Sequence, residues 1–163
     1  MNRYWRLCIV LLWLGLPASG CFYSFNPGGR SEIKSIAVER FDDNTGQFGL
    51  ADRLTDIVID EFIADGNLKV VSAANADAVL QGTLTRYERL PQVFDENDRV
   101  QQYKIRLTFE MSLKKVSDGS EYWKEVMTPE GIYDANSEVE EDGQRRAAAA
   151  LVEAVLNKTT KSW

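Results

Sequence analysis

The sequence predicts an α+β fold: a two-layer sandwich in which one mixed, mostly antiparallel sheet of four to five strands carries two helices on one face. Strict alternation over residues 102–114 is the first reason. Tyr103, Ile105, Leu107, Phe109, Met111 and Leu113 alternate with Gln102, Lys104, Arg106, Thr108, Glu110, Ser112 and Lys114, which describes a long strand with one dry and one wet face. Two stretches at helical spacing are the second. Leu50, Leu54, Ile57, Val58 and Phe62 form one apolar stripe, and Ala147, Leu151, Ala154 and Val155 form another. Both helices covering the same side of a single sheet satisfies every apolar surface at once. The other sheet face is then the natural contact surface.

The elements follow in order. Arg3 and Arg6 flank an apolar run from Leu7 to Leu16, and Ala18-Ser19-Gly20-Cys21 comes next. Ten helical residues rise only about 15 Å, roughly half a bilayer's hydrocarbon core, so the run suits a signal peptide better than a membrane span. The tetrapeptide resembles a lipobox, whose cysteine is acylated and becomes the new N-terminus. Ordinary secretory cleavage near Ala18 or Gly20 is the alternative, and it leaves an unpaired thiol in an oxidising space. Residues 1–20 are therefore expected to be a signal peptide, 21–32 a lipidated tether with the turn Asn26-Pro27-Gly28-Gly29, and 33–163 one domain.

Within that domain Ile33 to Phe41 reads as a buried strand, ended by Asp42-Asp43-Asn44-Thr45-Gly46. A helix follows from about Gly49 to Asp65, with Gly66 placed for a left-handed cap. Leu68 to Ser72 is a short strand. Ala76 to Leu90 is a third, with Leu80, Gly82 and Leu84 on one face and Gln81, Thr83, Thr85 and Tyr87 on the other. The loop Asp95-Glu96-Asn97-Asp98 leads into the alternating strand, and Asp118-Gly119 turns the chain into a fifth strand reaching about Tyr133. Ser137 and Glu140 have capping-box spacing at the start of the last helix, whose interior Gly143 costs about 1 kcal/mol relative to alanine.

Composition narrows the function. Removing 20 of 163 residues leaves 143, enough for one real core. Cys8 leaves with the leader, so Cys21 is the only cysteine of the mature chain and no intramolecular disulfide is available. Of 19 basic residues Arg3 and Arg6 leave too, and 25 acidic ones remain, a balance of about −8. Such a surface does not suit nucleic acid. There is no histidine, which excludes Ser-His-Asp and Cys-His catalysis and removes the commonest zinc ligand. No catalytic residue, cofactor or metal is expected. Asp42, Asp43 and Asn44 lack the ligand set of a calcium loop, and turn and helix-capping chemistry accounts for them.

Four stretches are similar to the LptE family, outer-membrane lipoproteins that work with the barrel protein LptD in lipopolysaccharide assembly. They are Cys21-Phe22-Tyr23-Ser24-Phe25, Ile36 through Thr45, Leu54 through Val71, and Ala76-Asp77-Ala78-Val79-Leu80-Gln81-Gly82-Thr83-Leu84. The resemblance implies a non-enzymatic domain that plugs the LptD lumen and supports its assembly, with lipopolysaccharide contact through basic side chains. It also implies outer-membrane localisation on the periplasmic side, held by acyl chains, palmitate among them. Phe22 is consistent with that sorting, since it is not the aspartate that retains enteric lipoproteins at the inner membrane.

Candidate contacts for lipid A phosphates or the barrel wall are Lys104, Arg106 and Lys114 on one strand face, with Arg86 and Arg89 on the neighbouring segment. The competing reading is a solvated sheet face interrupted by Glu110. Tyr122 and Trp123 are shared between core and interface. A second function, different in class, is an envelope interaction module that activates a cell-wall synthase or recruits another machine. Mass spectrometry of the mature N-terminus is expected to find Cys21 carrying acyl chains; an unmodified thiol there would contradict the anchor.

Overall fold

A computed structural model describes residues 33–160, in which seven strands and two helices follow one another. They are β1 (Ser35–Val38), β2 (Asp42–Asp43), α1 (Leu50–Asp65), β3 (Lys69–Val70), β4 (Ala78–Phe94), β5 (Val100–Lys115), β6 (Glu121–Met127), β7 (Glu130–Asp134) and α2 (Glu140–Thr160). The sheet runs β3-β1-β4-β5-β6, with β2 also on β4 and β7 also on β5. β1 joins β3 and β4 in parallel, as β2 joins β4; the remaining pairs are antiparallel. This is the expected α+β architecture with a larger sheet. Among the described residues no helix is long and apolar enough to cross a membrane. The expected signal peptide, tether and lipidated Cys21 lie outside the described residues.

β4 and β5 pair along nearly their whole length, from Ala78 opposite Lys115 to Phe94 opposite Val100. The dry face predicted for residues 103–113 is the core face: Ile105, Leu107, Phe109, Met111 and Leu113 are buried, across from Leu80 and Leu84. Each such side chain contributes roughly 1.5–3 kcal/mol relative to exposure. α1 buries all five residues of its predicted stripe. Gly66 ends it in the left-handed region at φ 73°, its amide donating to the Phe62 carbonyl. α1 begins without a side-chain cap, so the acids before it act only in the turn: Asp43 Oδ1 accepts from the Thr45 amide and hydroxyl at 2.7 Å each.

The two additional strands arise from two interruptions. At Phe41 the first expected strand breaks because the ring turns into the core, meeting Phe109 edge-on at 5.2 Å, while its amide donates to Thr55 Oγ1 at 3.0 Å. Gly82 makes the room, since a Cβ there would lie 2.9 Å from the Phe41 ring and 2.6 Å from Met111 Sδ. At Thr128-Pro129 the fifth expected strand steps into β6 and β7, because proline has no amide to donate to a ladder. Its carbonyl still accepts from Leu107 at 3.1 Å.

Asp77 fastens β1 to β4. Its Oδ2 accepts from the amides of Lys34 (2.9 Å) and Ser35 (2.8 Å) and from the Ser35 hydroxyl (2.8 Å). Those bonds hold its carboxyl below the usual carboxylate range, the Lys34 amide contributing most. An aspartate flanked by alanines at the head of β4 is thus a clamp on the start of the domain.

α2 departs from expectation in two respects. Ser137 does not cap it: its hydroxyl donates to Asp134 Oδ1, and the reciprocal carboxylate is Asp142, which accepts from the Val139 amide at 2.9 Å. The helix therefore starts at Glu140. Ala154 is exposed, and Ala148, Val152 and Leu156 complete the buried stripe with Ala147, Leu151 and Val155. Glu138, just before the helix, pairs with Arg146 inside it, and Arg146, then the Asp134 amide, holds the Glu138 carboxyl down at about 2.

Gly143 has a packing reason. A Cβ there would lie 2.7 Å from the Tyr133 ring and 2.8 Å from Ile105, and one at Gly131 would lie 2.1 Å from the Gly143 carbonyl and 2.5 Å from the Ala147 amide. Helix and strand backbones touch through paired glycines. Gly131→Ala is expected to cost about 2–3 kcal/mol, because backbone must move. Gly143→Ala should cost less, since only side chains obstruct it and alanine gains about 1 kcal/mol of helix propensity. Denaturant unfolding of both variants checks the order.

Candidate functional site: the uncovered sheet face

Directly paired residues of neighbouring strands share a face, so the β4–β5 register assigns every side chain. Gln102, Lys104, Arg106, Thr108, Glu110, Ser112 and Lys114 of β5 point away from the helices. Before Leu84 their partners on β4 are Val79, Gln81 and Thr83. Between Leu84 and Arg86 the register shifts by one residue, and beyond it Arg86, Glu88 and Leu90 occupy the uncovered face. Tyr87 and Arg89 cross to the helix side, where period two had placed Tyr87 on the wet face.

The five basic candidates are thereby divided. Lys104 and Arg106 are neighbours on the uncovered face, but Glu130 of β7 lies between them, 3.0 Å from Lys104 Nζ and 2.6 Å from Arg106 Nε. Lys104 first, then Arg106, draws the Glu130 carboxyl below the usual glutamate range. Arg86 stands exposed on the same face opposite Thr108, with no ion-pair partner among the described residues. Lys114 lies at the far end, in a polar groove of about 300 Å³ shared with Glu39, Gln81, Thr83, Glu110 and Lys124. Val126 and Ile132 open onto the face at its β6 and β7 margin. Two cations sharing one carboxylate, the further cations Arg86, Lys114 and Lys124, and apolar margins make a mixed surface of the kind partners use.

Arg89 belongs elsewhere. Its guanidinium stacks 3.7 Å from the centre of the Tyr103 ring, and Nε donates to the Tyr133 hydroxyl at 2.6 Å. Tyr87 donates to Glu140 and accepts from Gln144 Nε2 at 3.0 Å. Burial, then the bond to Glu140, pushes the Tyr87 phenol well above its usual value. This cluster ties the distal part of β4 to the first turn of α2, a structural task that accounts for Arg89.

Sequence reasoning did not single out Glu130, which fell inside the single fifth strand expected there. Trp123 proves to be core, its indole near Thr159 Oγ1 at 3.4 Å. Asp95 of the hairpin loop accepts from the amides of Asn97 (2.8 Å) and Arg99 (2.9 Å), so its carboxylate shapes the turn.

Glu130→Gln should lower stability at neutral pH by less than about 1 kcal/mol, since the pairs are half-exposed. Because the folded carboxyl titrates below its ordinary value of 4.5, its contribution is complete above that value and is lost as pH falls through the depressed one. Urea unfolding of wild type and variant should therefore differ at pH 7 and converge in acid.

A family model described as LptE, lipopolysaccharide-assembly, matches residues 33–159. No curated protein matches the sequence. Among solved structures, a protein from Xanthomonas campestris aligns at 14% identity, covering 83% of this chain and 90% of that one, with TM-score 0.53. A PelC variant from Paraburkholderia phytofirmans, solved as a dodecamer, aligns at 20% identity over 78% and 86% of the two chains, with TM-score 0.50. A putative lipoprotein from Caulobacter crescentus aligns at 18% identity over 78% and 90%, with TM-score 0.50. At such identities the likeness is one of fold.

Proposed function

This chain belongs to the LptE lipopolysaccharide-assembly family, and we propose that it is an outer-membrane lipoprotein, anchored through Cys21, that plugs an LptD barrel and supports its assembly. It performs no catalysis in this reading. The observation that carries it is the uncovered face of β4 and β5. A barrel lumen is lined by polar side chains, and burying unpaired charge against such a wall is costly. Here Lys104 and Arg106 both pair with Glu130, and Glu88 stands opposite Arg106, while Gln102, Thr108 and Ser112 remain on the face to exchange hydrogen bonds. The body behind the face is rigid, because both helices pack on its other side.

Arg86 and Lys114 are then the cations best placed for lipid A phosphates or acidic groups of the barrel. Lys104 and Arg106 contribute after Glu130 releases them, and Arg89 is removed from the contact set.

The fold shared with the PelC dodecamer favours a second reading, an anchored module that assembles with itself or activates another envelope complex such as a cell-wall synthase. Detergent extraction of envelopes followed by affinity purification separates the two. LptD is expected to copurify, and the double variant Arg86→Glu, Lys114→Glu should lower recovery of LptD or lipopolysaccharide at least tenfold. Repeated purification without LptD would favour the second reading. Undiminished recovery with the double variant, and with Lys104→Glu, Arg106→Glu, would return the face to plain solvated sheet.

A further inference from the structure

The described chain begins at a fixed point. Ile33 is 3% exposed within the core, and Asp77 grips the next two amides. Beside Ile33 opens a hollow of about 620 Å³, lined by Ile33, Ala76, Asp77, Lys115, Val116 and Asp118. That volume is within the range of pockets that enclose a small ligand. Val116, 42% exposed, gives it an apolar wall beside the edges of Ile33 and Ala76, and Asp77, Lys115, Ser117 and Asp118 make the rest polar. Charges of both signs stand at the rim.

The segment leading into Ile33 has matching chemistry. Phe22, Tyr23 and Phe25 put three aromatic rings within four positions, more apolar surface than a solvated spacer needs. Asn26-Pro27-Gly28-Gly29 then offers a turn that can fold the rings back toward the body. Phe25 is eight residues from Ile33, so an extended path gives it a reach of roughly 26 Å, ample for a hollow adjoining Ile33 itself. Arg30 and Glu32 supply charges complementary to Asp118 and Lys115.

We propose that the hollow at the β1–β4–β5 end of the sheet is the docking site of the chain's own segment 22–32, which seats aromatic side chains against Ile33, Ala76 and Val116. The inference stands whether or not a barrel is the partner. Its consequence for orientation rests on the anchor at Cys21. A docked tether holds the acyl chains at this end of the sheet, and the tip of the β4–β5 hairpin, with exposed Val93 and Phe94, stands roughly 50 Å away along strands of 16–17 residues. The body then faces its partner in one orientation instead of swinging on a loose leash.

Amide hydrogen exchange on the full mature chain in detergent micelles tests this. Residues 22–32 are expected to exchange at least tenfold more slowly than the same sequence as a free peptide. Val116→Asp should restore the free-peptide rate, with β5 amides unchanged as the check on folding. Tyr23→Ser with Phe25→Ser, which lies outside the body, should do the same. Free-peptide rates in the wild type would overturn the proposal, as would protection that survives either variant. Loss of LptD copurification with intact tether protection would sink the barrel reading and leave this one standing.

Discussion

The antiparallel ladder between β4 and β5 is the constraint on which the rest of the molecule depends. It joins parallel β1 and β2 on one side to β6 and β7 on the other, and it aligns two rows of apolar side chains into one dry surface. α1 and α2 are held by that surface and by each other. Had the two strands slipped by one residue, every core side chain of one strand would have turned to solvent. The depth of the buried row from Ile105 to Leu113 is what makes that slip prohibitive.

Close backbone approach is the second constraint. Gly131 and Gly143 let α2 lie on β7 with main chains touching, and Gly82 lets Phe41 reach Phe109. Each glycine trades conformational freedom for proximity. The result is a thin, tightly joined pair of layers, the mechanical character a plug or a docking module needs. The Asp77 clamp extends this rigidity to the first described residues of the domain, through Lys34 and Ser35.

One irregularity decides which side chains of the middle of β4 the uncovered face carries. The register shift between Leu84 and Arg86 moves Tyr87 and Arg89 to the helix side, where they join Tyr103, Tyr133, Glu140 and Gln144. The same shift turns Arg86 outward, opposite Thr108. β7 then brings Glu130 between Lys104 and Arg106, where one carboxylate pairs with two cations and offsets part of the basic row. Bulges commonly re-aim side chains in this way.

Local patterns in the chain were enough to determine the two helices, the long alternating strand, the dry face and the α+β class, because periodicity reports which side of an element meets the core. They also marked Gly66 and the Asp118-Gly119 turn. The proline that splits β6 from β7 was visible but its consequence was not, since a fifth strand remained plausible until β5 supplied partners for both halves. Only tertiary structure decided the placement of Arg89, the pairing of Glu130, the cap of α2 and the exposure of Ala154. A register shift, a salt bridge across strands and a glycine contact between a helix and a strand all join residues far apart in sequence, and no local period encodes which of them will meet.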